Sequence, residues 1–94
     1  MKLTKELING MVKYINMMYS PKRIEVEHSN YTFFEVPDTW RGITLIDVYF
    51  DMDADIDYDT MVNMDNKIPN EVKSFFPISS LLRDKELLIR VFFE

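Results

Sequence analysis

From Thr44 to Asp59 the chain alternates apolar and acidic side chains almost without a break. Thr44, Ile46, Val48, Phe50, Met52, Ala54, Ile56 and Tyr58 hold the even positions. From 47 onward, Asp47, Tyr49, Asp51, Asp53, Asp55, Asp57 and Asp59 hold the odd ones. A repeat of two is the repeat of a β-strand, whose successive side chains point to opposite faces. The pattern therefore predicts a strand with an apolar face against a core and a row of carboxylates on the other face. Asp is a poor strand former. A break or bulge near Asp53-Ala54 would divide the segment into two strands, or into a strand and a loop.

The charge distribution sharpens that reading. Between Arg41 and Lys67 there is no basic residue, and seven acids lie in the gap: Asp47, Asp51, Asp53, Asp55, Asp57, Asp59 and Asp65. The net charge is -5, so the rest of the chain carries +2. An acidic segment thus sits on a slightly basic body.

The remaining elements follow from period and punctuation. Leu3, Leu7, Ile8, Met11, Ile15 and Met18 form one apolar stripe at helical spacing, with Thr4 as N-cap and Ser20-Pro21 as the stop, so a helix is expected over 3–19. Ile24, Val26 and His28 alternate with Arg23, Glu25 and Glu27 as a half-buried strand. Tyr31 to Val36 is rich in strand formers and is expected to complete a hairpin with it, followed by a turn-rich loop over 37–42. Residues 63–70 are polar, contain Pro69 and read as a loop. Asn70 then caps a short helix that Pro77 stops, Ser79 to Arg83 adds a helical turn, and Leu87, Ile89, Val91 and Phe93 mark a closing strand. The fold expected is α+β in a single domain, 1–94: an N-terminal helix packed on an antiparallel sheet of about four strands, with a short helix before the C-terminal strand. With 94 residues, 47% hydrophobic and 29% charged, the chain has the balance of a globular domain with a thin core.

Composition removes several chemistries. There is no cysteine, so disulfides, thiol nucleophiles and Cys-ligated metals are excluded. Only Gly10 and Gly42 are present, and the sequence holds no Gly-rich phosphate loop, GxSxG elbow or HExxH pair. The acidic run suggests calcium, but an EF-hand loop needs Gly at its sixth position and Glu at its twelfth. Counting from Asp51 these are Ile56 and Val62, from Asp53 Tyr58 and Met64, and from Asp55 Thr60 and Asn66. No register fits, and no cofactor is expected. Pro37-Asp38 followed by Glu71-Val72-Lys73 resembles the PD-(D/E)xK nuclease signature, which implies a metal held by Asp38 and Glu71 with Lys73 beside the attacking water. That family carries its (D/E)xK on a core strand, whereas Glu71 follows Pro69-Asn70 and reads as helical. A nuclease-like enzyme is the minor alternative, and a non-enzyme is expected.

A row of like charges on one strand face is energetically odd. Alternate strand residues are roughly 6.7 Å apart, so neighbouring carboxylates repel by about 0.6 kcal/mol even in bulk water. Sites that break a local rule are often functional. A regular file of single negative charges is also what DNA presents to its ligands. In charge pattern, over residues 47–65, the chain resembles the acidic DNA-mimic inhibitors that phages make against restriction enzymes, nucleoid proteins or repair glycosylases. The resemblance implies a basic DNA-binding protein of the host as partner. Contact would run through Asp47, Asp51, Asp53, Asp55, Asp57, Asp59 and Asp65, with Trp40 as a further anchor candidate. The alternative is an acidic adaptor module for a basic partner unrelated to DNA. Direct nucleic-acid binding is disfavoured because the strongest field has the wrong sign. A homodimer is expected, to cover apolar surface a thin core leaves open. No apolar run approaches the roughly 20 residues of a membrane span, no signal-peptide core follows Met1, and the expected address is the cytoplasm.

Overall fold

A computed structural model describes residues 3–29, 43–52 and 56–94. Among these the order is helix α1 (Lys5–Tyr19), strand β1 (Arg23–Ser29), strand β2 (Ile43–Phe50), helix α2 (Tyr58–Phe75), short helix α3 (Ser79–Arg83) and strand β3 (Leu87–Phe93). The fold is α+β with an N-terminal helix, as the hydrophobic periods predict. The expected strand over 31–36 and the loop over 37–42 lie outside the described residues.

α1 begins where Thr4, in extended conformation, accepts a hydrogen bond from the Leu7 N–H at 3.1 Å. It ends at Ser20, whose φ of 47° places it in the left-handed region, with Pro21 preventing continuation. Ile8, Met11 and Ile15 form its buried stripe. Gly10 is explained by packing: a Cβ there would stand 3.2 Å from Cε1 of Phe76, so the missing side chain lets the Phe76 ring approach the helix.

β1 and β2 are antiparallel, with Ile24 opposite Val48 and Val26 opposite Ile46. β2 and β3 run parallel, with Ile46 beside Ile89 and Asp47 beside Arg90. The described sheet is mixed, in the order β1-β2-β3, which corrects the all-antiparallel expectation. The physical reason lies in the connection. Parallel neighbours need a long crossover, commonly helical, and α2 with α3 supplies it.

α2 overturns the loop expected over 63–70. Met61, Met64, Ile68 and Val72 recur at helical spacing, and Ile68 and Val72 are completely buried. Their burial outweighs Pro69, which sits inside the helix and removes one backbone hydrogen bond there. α3 ends in a Schellman motif: the Glu86 N–H donates to the Leu81 carbonyl and the Lys85 N–H to that of Leu82, with Lys85 at φ 58°. The core lies between the helices and one sheet face, where Met11, Ile15, Ile46, Val48, Ile68, Val72, Ile78, Leu81 and Leu87 meet.

Candidate functional site

The structure separates the acidic residues that sequence alone placed in one row. β2 stops at Phe50 and α2 begins at Tyr58, so the carboxylates do not continue along a single strand face to Asp59. Asp47 departs most from expectation. Its side chain is 2% exposed and lies under Arg90, whose Nε and Nη2 donate to its two carboxylate oxygens at 2.6 and 2.7 Å. A buried Asp bound bidentately by an Arg is a cross-strand ion pair, and it offers nothing to a partner. Asp47 is therefore removed from the binding set.

Asp57 also has a local role. It is the N-cap of α2, and its carboxylate accepts from the Thr60 N–H at 2.7 Å. The hydrogen bonds from Thr60 hold its pKa below the ordinary 3.8. Asp59 lies in the first turn of the same helix, where the exposed N–H groups favour negative charge. Two residues apart on a helix, Asp57 and Asp59 point to different sides. Asp51 is exposed just beyond β2, with the Lys22 ammonium 3.6 Å away. Asp65 is exposed on α2. Asp53, Asp55 and Trp40 lie outside the described residues.

What the structure does bring together is an acidic and apolar surface on the first turns of α2. Tyr58 is 77% exposed and Val62 is also exposed, while Met52 is exposed beyond the end of β2. Tyr58, Val62 and Asp65 follow one another at four- and three-residue steps, which places them on one helix face. Exposed apolar side chains among carboxylates mark a surface suited to contact rather than to solvent alone.

The sheet face away from the helices holds an arrangement that sequence reasoning missed. The Arg23 guanidinium lies 3.9 Å over the centre of Tyr49, Tyr49 stacks on Phe92 at 5.1 Å, and the Arg90 guanidinium lies 5.1 Å from the centre of Phe92. Arg23 also pairs with Glu25 and Glu94. Because each ring is stacked against the other and flanked by a guanidinium, this face is a self-satisfied ladder. It is not an open platform on which a base would stack. The missed signal was Arg90, the one charge inside the apolar strand Leu87–Phe93, matched by Asp47 inside Ile43–Phe50.

The nuclease-like residues are not assembled. Glu71 and Lys73 lie on α2, not on a strand, and a two-residue step turns their side chains to different sides. Glu71 accepts a hydrogen bond from the Tyr19 hydroxyl and lies near Lys67; burial first, and then that carboxylate, push the Tyr19 hydroxyl pKa up. Asp38 lies outside the described residues. Among the described residues no three His, Asp or Glu side chains converge as a metal site, and no helix is long and apolar enough to cross a membrane. An apolar recess of about 370 Å³ opens between Ile43, Leu82, Lys85, Leu87 and Leu88, and none of these described lining residues is an acidic candidate.

No protein-family profile matches the chain, and neither a curated protein nor a solved structure matches it.

Proposed function

We propose that the protein is a non-enzymatic binding module that engages a basic protein through its exposed carboxylates Asp51, Asp59 and Asp65, with Asp53 and Asp55 of the same sequence run as further candidates. The observation that carries this reading is the exposure of Asp51, Asp59 and Asp65 in a sequence stretch without a basic residue, interleaved with exposed Met52, Tyr58 and Val62, Asp51 having Lys22 from outside the stretch beside it. Carboxylates steer and select a basic surface, and the apolar side chains supply contact area once solvent is displaced. With Asp47 and Asp57 in structural roles, the surface is a patch shared between a strand end and a helix rather than a file of evenly spaced charges.

The DNA-mimic reading is the narrower form of the same proposal. It is favoured by the density of carboxylates, five in the nine residues from Asp51 to Asp59, which approaches that of a phosphate backbone. On this reading the partner is a basic DNA-binding protein of the host, and occupying its DNA surface inhibits it. Competition separates the two forms. If a recovered partner binds double-stranded DNA and this chain in mutual exclusion, the mimic reading holds. If DNA and this chain bind the partner together, the chain is an adaptor. A partner that binds equally tightly at high and low salt would remove both.

A further inference from the structure

We draw no further inference here: the strongest candidate, the apolar recess that Lys85 shares with Leu82, Leu87, Leu88 and Ile43 where α3 meets the first residues of β2 and β3, opens at Ile43, the first described residue after Ser29, and nothing in the structure shows what covers it.

Discussion

Asp47 and Arg90 illustrate how one carboxylate can be withdrawn from a charged surface by a single partner. Asp47 stands in the middle of β2, where water is excluded, and Arg90 answers it from the neighbouring strand with two donors. The two sides of the pair are unequal, because the Arg90 side chain is still half-exposed. Arg90→Met leaves a buried carboxylate without a cation and is expected to cost about 3 kcal/mol. Asp47→Asn leaves an Arg that can turn to solvent, so it should cost clearly less. Urea midpoints with unchanged slopes check the ranking, and a larger loss in Asp47→Asn would contradict it. Asp57 gives a different signature. Its folded pKa lies below the ordinary 3.8, so its capping contribution is complete above that value and is lost as the pH falls through the folded pKa. Asp57→Asn keeps an acceptor for the Thr60 N–H but cannot be protonated there. Stability of the variant should therefore match wild type near neutrality and fall less steeply below about pH 4, as read from urea midpoints across that range.

The elements differ in how much of themselves they show in sequence. α1 was legible because its cap, stripe and Pro stop agree, and β2 because its alternation is regular as far as Phe50. The continuation of that alternation misled: Asp57 is at once an odd-numbered member of the pattern and a strong N-cap. The helix won because Met61, Met64, Ile68 and Val72 follow it at helical spacing. The same stripe was hidden by the polar residues between its members and by Pro69. Pro69→Ala restores a backbone donor in α2 and should stabilise the protein by about 1–3 kcal/mol, with a small gain in helical circular dichroism. A loss of stability would show that the ring makes an indispensable contact. Lys85 occupies the left-handed position that glycine favours after α3. Lys85→Gly should raise stability by about 0.5–1 kcal/mol, visible as a higher melting temperature. The parallel pairing of β3 was not legible, since strand direction depends on the crossover helix and leaves no local mark.

At the scale of the molecule, the charge map is the part that sequence conveys best, and its geometry is the part it conveys worst. The seven acids between Arg41 and Lys67 remain an acidic region. Among the described residues it divides into a buried ion pair at Asp47, a helix cap at Asp57, an exposed Asp51 beside Lys22, and exposed Asp59 and Asp65 on the helix that carries Tyr58 and Val62. Exposed Met17 and Met18 on α1 and Phe75 on α2 leave apolar surface on the helical layer, and a homodimer is the expected outcome by light scattering at micromolar concentration. A monomeric mass at about 100 µM would remove that expectation. The acidic patch is the central claim, and the affinity of the triple variant Asp51→Asn, Asp59→Asn, Asp65→Asn for a partner recovered from the native host tests it most directly. None of the three caps a helix or fills the core, so the variant should fold, with only a small loss of stability from the first-turn charge of Asp59 and the Lys22–Asp51 pair. Its affinity should fall at least tenfold, since charge pairs at such interfaces are each worth on the order of 1 kcal/mol or more, and the salt dependence of binding should flatten. A triple variant that binds as tightly as wild type, with the same salt dependence, would contradict the account.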